Sequence, residues 1–191
     1  MKPTLVVIDT QQAFVADRGP GYPWANPEAD LRIGGLIAAF RAAGLPVVHV
    51  HHHGLDPADS FHADNPQSRP MAVAEPAVGE AVVIKHGFVR LHRHWAGGDA
   101  ARGRAGAAGQ ARLVLCGGAA NYCVESTARL AGNLGFDTRV VGEALINFQK
   151  TLRDGRVMPP QDVLALTLAN LDGEFARVVS SDEILAELTV G

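Results

Sequence analysis

Three residues with complementary chemistry lie at or just beyond the ends of apolar runs in the sequence. Asp9 follows the run at residues 5–8, Lys85 follows residues 81–84, and Cys123 comes shortly after the run at residues 112–115. A thiol can attack a carbonyl carbon, a carboxylate can accept the thiol proton, and a cation can hold the thiolate and orient the acid. Each residue alone has an ordinary structural explanation, but together they indicate nucleophilic catalysis.

The segment between Cys116 and Cys123 predicts how the thiol is presented. Asn121 is a suitable N-cap, so we expect Cys123 in the first turn of a helix, where free N–H groups and the helix dipole lower a thiol pKa. The small residues at positions 117–120 would let a substrate approach backbone N–H groups closely. Cys116 lies inside the strand that begins with this run and is expected to be a buried structural cysteine.

The elements that would position these residues are short, almost continuously apolar runs. Such runs are typical of strands covered on both faces of a parallel sheet, and they occur at residues 5–8, 46–51, 81–84, 112–115, 138–141 and 176–179. Helical patterns separate them: an apolar stripe from Leu31 to Phe40 that stops at Gly44, a second helix from Cys123 to Gly135, a third at 162–171, and a last one from Ser181.

This alternation predicts an α/β fold, a doubly wound six-stranded parallel sheet with helices on both faces, as a single domain over residues 1–191. In such a sheet the ligand crevice lies beyond the carboxyl ends of the strands, where the three reactive residues would meet. Long segments at 16–27, 54–70 and 86–110 show no clear pattern and could form lids or subunit contacts.

Composition narrows the classes of partner. The net charge is −3 and the positive residues are scattered, so nucleic acid is not expected, and a small-molecule substrate fits better. No apolar run is long enough to span a bilayer, and the amino-terminal residues do not match a signal peptide. Two cysteines without a disulfide framework favour a reducing compartment, so the expected location is the cytoplasm.

Three motifs taken in order resemble the isochorismatase-like cysteine hydrolases, a family that includes nicotinamidase and N-carbamoylsarcosine amidase. The first is Leu5-Val-Val-Ile-Asp-Thr-Gln-Gln-Ala-Phe14 and the second is Val83-Ile-Lys85. The third is Cys116-Gly-Gly-Ala-Ala-Asn-Tyr-Cys-Val-Glu-Ser-Thr-Ala-Arg129. The family often has Thr where this chain has Ala120, which affects the expected loop geometry more than the chemistry.

The resemblance implies a three-layer fold and a catalytic triad of Asp9, Lys85 and Cys123. It also implies a cis peptide bond before Ala119, with the N–H groups of Ala119 and Cys123 as the oxyanion hole, and a homo-oligomer, dimer or higher. Relatives that cleave the vinyl ether of isochorismate lack the cysteine, so its presence favours hydrolysis of a C–N bond in a small amide, carbamoyl or ureido substrate. The residues expected to bind substrate are Gln11, Phe14, Trp24, Phe88, Tyr122 and Phe148.

A run of histidines leaves the question of a metal open. Nicotinamidases carry an Asp-x-His pair after the second strand, but no Asp stands at the matching position beside His49, His51 and His53, and His62 follows later. Because a zinc site needs three or four well-placed ligands, we predict no metal and no cofactor. The alternatives are a metal-assisted amidase of the nicotinamidase type, a thiol redox protein using both cysteines, and a non-catalytic binding module. The substrate and the pathway do not follow from the sequence.

Overall fold

The computed structural model describes residues 2–16, 23–87 and 111–189. Within these residues six strands build one sheet and two short strands pair separately. The strands are β1 (Thr4–Ile8), β2 (Val47–His52), β3 (Ala81–Lys85), β4 (Arg112–Gly118), β5 (Asp137–Ile146), β6 (Lys150–Thr151), β7 (Val157–Met158) and β8 (Arg177–Val179). The sheet order is β3-β2-β1-β4-β5-β8 with every pairing parallel, which confirms the predicted sheet.

Helices connect these strands. They are α1 (Ala13–Ala16), α2 (Ala29–Ala42), α3 (Glu125–Asn133), α4 (Pro160–Leu171) and α5 (Ser181–Thr189), together with 3-10 turns at Pro66–Ser68 and Ala72–Ala74 and a π-helical turn at Ala120–Val124. No helix within the described ranges is long and apolar enough to cross a membrane.

Successive residues of β1 face opposite layers of the fold. Leu5 and Val7 belong to an apolar cluster that contains Ile33 and Phe40 of α2 and Ile184 of α5. Val6 and Ile8 belong to a second cluster that contains Ala128 of α3 and Leu164 of α4. Because side chains alternate along a strand, a continuously apolar strand must be covered on both sides, and the two clusters confirm helices on both faces of the sheet.

Glycines end two of the predicted helices where the sequence indicates. Gly44 has φ +63° and donates to the Arg41 carbonyl at 3.0 Å, and Gly135 has φ +81° after α3. This left-handed conformation closes a helix at little cost in glycine. Helix α4 begins at Pro160 rather than Asp162, since proline suits the first helical position.

Four strands of the sheet, β1, β3, β4 and β5, are longer than their apolar runs suggest. Strand β5 continues past Gly142 to Ile146, and a register irregularity between Leu115 and Gly117 keeps it paired with β4. The β6–β7 hairpin was not predicted, because two residues per strand are too few to show a periodic pattern. Of the unassigned segments, residues 17–22 and 88–110 lie outside the described residues.

Candidate active site

Asp9, Lys85 and Cys123 meet at the carboxyl edge of the sheet. The Lys85 Nζ atom lies 2.7 Å from Asp9 Oδ2 and 3.3 Å from Cys123 Sγ. Strand β2 separates β3 from β1, so the long lysine side chain crosses β2 to reach the carboxylate, while Cys123 approaches from β4 on the other side of β1. Asp9 and Lys85 are each 1% exposed, so this ion pair is screened little by water.

The backbone at Asp9 ends β1 abruptly. Asp9 has φ +46°, a left-handed conformation that aspartate tolerates better than most residues, and its N–H still donates to the Val50 carbonyl at 2.8 Å. One carboxylate oxygen, Oδ2, bonds Lys85. The other, Oδ1, is buried without a hydrogen-bond partner among the described residues, which leaves an acceptor available for a proton donor.

Burial sets the protonation of this cluster. It raises the pKa of Asp9 above its ordinary value, against the lowering effect of Lys85. Burial, followed by the Asp9 charge, raises the pKa of the Cys123 thiol to about 12. The predicted lowering of this thiol pKa was therefore wrong: the ammonium of Lys85 does lower it, but desolvation has the larger effect.

The helix start differs from the prediction as well. Asn121 is not the N-cap; that position is held by Ala119, with no side-chain capping bond, and Cys123 lies in the π-helical turn that precedes α3. The Ala119 carbonyl accepts hydrogen bonds from the N–H groups of Tyr122 at 3.0 Å and Val124 at 3.3 Å. The turn is therefore held by its own backbone rather than by the asparagine side chain.

Two glycines let the chain before this turn pack closely against β1 and against Phe14 of α1. Gly117 has φ +109°, and a Cβ at this position would collide with the Ile8 carbonyl oxygen. A Cβ on Gly118 would come within 2.6 Å of the Phe14 ring. The Gly118–Ala119 peptide bond is cis. Close packing at both positions requires glycine, and it sets the start of the Cys123 turn beside Asp9.

Gln11 does not occupy the predicted substrate-binding position. Its side chain is fully buried. Its Nε2 atom donates to the carbonyls of His52 at 3.0 Å and Ser68 at 2.6 Å, and its Oε1 atom accepts from the His52 N–H at 2.8 Å. Because backbone groups use both ends of the amide, Gln11 fixes the end of β2 and the loop near residue 68 instead of contacting substrate.

The predicted aromatic residues separate into two groups. Phe14 packs against Phe148 at 5.7 Å between ring centroids, and Phe148 is only 4% exposed, so this pair belongs to the apolar core that supports the glycine turn. Trp24 is half-buried against the same cluster. Tyr122 is 40% exposed, and its hydroxyl contacts the Lys150 ammonium. Phe88 lies outside the described residues.

Two polar residues that lie at the carboxyl ends of strands were not selected from the sequence. His52, the last residue of β2, pairs in register with Lys85, and its Nδ1 atom lies 3.5 Å from Lys85 Nζ. Asn147 directly follows β5, is fully buried, and donates to the Pro160 carbonyl at 2.8 Å. The rule that selected Asp9 would have selected both, had the ends of β2 and β5 been located correctly.

Burial affects two other histidines of β2. His49 is buried, with Nε2 2.8 Å from Glu80 Oε2, and burial lowers its pKa. Burial likewise lowers the pKa of His51 to about 4. In the described part of the chain no group of three or more His, Cys, Asp or Glu residues is arranged to hold a metal ion.

Comparison with known proteins adds a family to this geometry. The Isochorismatase domain model matches residues 3–158. An uncharacterized isochorismatase family protein, YrdC, from Bacillus subtilis is 24% identical over 198 residues, covering 96% of this chain and 95% of the relative.

Solved structures give the same result. An isochorismatase-family protein from Chromobacterium violaceum has a TM-score of 0.85 at 33% identity, covering 100% of this chain and 95% of that one. N-carbamoylsarcosine amidase from Thermoplasma acidophilum has a TM-score of 0.64 at 23% identity, covering 95% and 98% of the two chains. At that identity the second likeness concerns the fold alone.

Proposed function

Since the chain belongs to the isochorismatase family of hydrolases, we propose that it uses Cys123 as the nucleophile to cleave a C–N bond in a small amide, carbamoyl or ureido substrate. One observation carries the proposal: a single buried ammonium, that of Lys85, bonds both a carboxylate and a thiol at the carboxyl edge of the sheet. Burying charged side chains costs desolvation free energy, so such a cluster is a candidate functional site. A cation beside both a thiol and a carboxylate is the arrangement that nucleophilic catalysis by a cysteine requires.

The resting site holds a protonated thiol, because the pKa of Cys123 lies near 12. Asp9 is the base. Its pKa is raised by burial, which makes the carboxylate a stronger proton acceptor than an exposed aspartate, and its Oδ1 atom has no competing partner among the described residues. Proton transfer to Asp9 then accompanies attack of sulfur on the carbonyl carbon, while Lys85 stabilises the developing thiolate.

The carbonyl oxygen gains negative charge as the C–S bond forms. We assign its stabilisation to two backbone N–H groups, that of Ala119, which precedes the π-helical turn after β4, and that of Cys123, which lies within this turn. No described residue accepts a hydrogen bond from the Ala119 N–H, so this group can donate to a substrate oxygen without breaking an existing hydrogen bond. The small residues of the turn leave room for a substrate carbonyl beside it.

The remaining steps restore the enzyme. Protonated Asp9 gives its proton to the leaving nitrogen, the C–N bond breaks, and the acyl group stays on Cys123 as a thioester. Asp9 then takes a proton from water, and hydroxide adds to the thioester. The C–S bond breaks as Asp9 returns its proton to sulfur, which releases a carboxylic or carbamic acid and restores the free thiol and the carboxylate.

The test is a panel of small amides, carbamoyl compounds and ureas, assayed for release of ammonia or amine with and without a chelator. Cys123→Ala should abolish turnover of any substrate found, and Cys116→Ala is the matched control, because Cys116 is fully buried in β4. Undiminished turnover by Cys123→Ala would overturn the proposal. Equal loss in both variants would favour the thiol redox alternative, and loss on chelation the metal-assisted one.

A further inference from the structure

The Lys85 ammonium has three N–H bonds, and three side chains face it. Asp9 Oδ2 and Cys123 Sγ take two of them, and His52 Nδ1 at 3.5 Å is the third neighbour. An ammonium offers three donors and no acceptor. We propose that His52 is a positioning residue whose Nδ1 atom accepts the third hydrogen of Lys85 and so holds the ammonium between Asp9 and Cys123.

This arrangement assigns the histidine tautomer. Because the ammonium can only donate, Nδ1 of His52 must be unprotonated, and the ring proton lies on Nε2. Burial and the nearby Lys85 charge lower the pKa of His52, which keeps the ring neutral. Among the other charges that act on it, Asp59 opposes this lowering and His53 and His86 add to it.

His52 is itself held from three directions. Its N–H and its carbonyl both bond the buried amide of Gln11, which fixes the backbone at the end of β2. Its ring meets Phe61 edge-on, with 5.5 Å between the centroids. Its register partner is Lys85. The imidazole of His52 therefore has few alternative positions. It can orient Lys85, whose flexible four-carbon side chain would otherwise adopt many conformations.

A constant third partner matters because the other two change during the reaction we propose, and the inference rests on that proposed function. When the thiol proton moves to Asp9, the negative charge beside Lys85 moves from the carboxylate to sulfur. When the thioester forms, Asp9 has given its proton to the leaving nitrogen, so the negative charge beside Lys85 lies on the carboxylate again and the sulfur is neutral. His52 remains an acceptor throughout, and its long resting contact can shorten in those states, as catalytic hydrogen bonds often do.

The experiment measures the alkylation rate of Cys123 by iodoacetamide against pH, together with the melting temperature. His52→Asn keeps an amide oxygen near the position of Nδ1, whereas His52→Leu has similar bulk and no acceptor. His52→Gln is a polar variant whose amide lies farther out, toward the position of Nε2. His53→Leu is the control, since its hydrogen bond to Lys85 is made by the backbone N–H.

We expect the Leu and Gln variants of His52 to raise the apparent thiol pKa by about one unit, a roughly tenfold slower alkylation at fixed pH. His52→Asn and His53→Leu should stay near the wild-type rate. The proposal is wrong if all three His52 variants react at the wild-type rate, or if Asn slows alkylation as much as Gln at an unchanged melting temperature. If His52→Leu does not fold, the alkylation rates of His52→Asn and His52→Gln still test the proposal.

Alkylation needs no substrate, so the two proposals fail separately. A protein that hydrolyses no amide but shows the expected order of alkylation rates would refute the proposed function and support the role of His52. Turnover that depends on Cys123, combined with equal alkylation rates in every His52 variant, would support the proposed function and refute the role of His52.

Discussion

At the scale of single residues, the site depends on how one carboxylate affects a neighbouring thiol. Burial, followed by the Asp9 charge, raises the pKa of Cys123, so the residue that we propose as the base also helps to keep the thiol protonated at rest. A buried thiol of high pKa is slow to react with oxidants and alkylating agents. In the mechanism that we propose, the resting thiol is therefore protected until a substrate carbonyl is in place.

Asp9→Asn should separate these two effects. Removing the charge lowers the thiol pKa and leaves Lys85 to stabilise the thiolate, so iodoacetamide should alkylate Cys123 faster than in the wild type. Amide turnover should fall by about 100-fold or more, because the base is gone. Alkylation and turnover are measured on the same sample, with a melting curve to confirm folding.

Asp64→Asn is the control for this prediction, since the Asp64 side chain is 94% exposed. It should change neither rate. Slower alkylation in a folded Asp9→Asn protein would contradict the electrostatic interpretation.

At the scale of elements, the contact between β4 and β1 sets the position of the Cys123 turn. Gly117→Ala should destabilise the protein by more than about 2 kcal/mol and lower turnover, because it adds a clash with the Ile8 backbone to the strain of a left-handed alanine. Urea denaturation at neutral pH measures the first effect, and turnover with the best substrate of the panel measures the second.

Gly155→Ala isolates the conformational contribution. Gly155 has φ +85°, yet a Cβ there meets nothing within 4 Å. We expect a loss of about 1 kcal/mol and normal turnover. Equal destabilisation by the two substitutions would show that the close approach of β4 to β1 contributes nothing.

The sequence predicted the elements better than it predicted their ends. The apolar runs located all six strands of the sheet, because burial on both faces leaves a clear pattern. They could not locate the end of β2 at His52 or of β5 at Ile146, where polar residues and Gly142 continue the strands. Gln11 was misassigned for a related reason: its hydrogen-bond partners are backbone groups some 40 or more positions away, which local sequence does not reveal.

At the scale of the whole molecule, a polar cluster links α2 to the sheet just before the start of β3. Glu80 accepts hydrogen bonds from Arg41 at 2.7 and 2.8 Å and from the Ala77 N–H at 2.8 Å, and it lies 2.8 Å from the buried His49 ring. Arg41, the largest influence, helps to lower the pKa of Glu80 to about 2. Folding therefore favours the ionised form of this carboxylate.

The sign of the pH dependence follows from that shift. A carboxylate whose pKa is lower in the folded state stabilises the protein fully above the unfolded value of 4.5, and it loses this contribution as the pH falls toward 2. Glu80→Gln should cost roughly 1–3 kcal/mol at pH 7, and the difference from the wild type should shrink below pH 4. Urea titrations at several pH values measure this difference in unfolding free energy.

Glu174→Gln serves as the control, because Glu174 is exposed. It should leave the unfolding free energy unchanged at every pH. A Glu80→Gln difference that stayed constant from pH 7 to pH 3 would argue against the ionised cluster.

The buried pair of Asp9 and Lys85 also limits which substitutions related sequences can accept. Loss of either charge alone strands its partner in the interior, a defect of about 3–5 kcal/mol that endangers the fold itself. Replacing Cys123 by another small residue strands no charge. Relatives that lose activity but keep the fold should therefore replace the proposed nucleophile first and retain the aspartate and the lysine together.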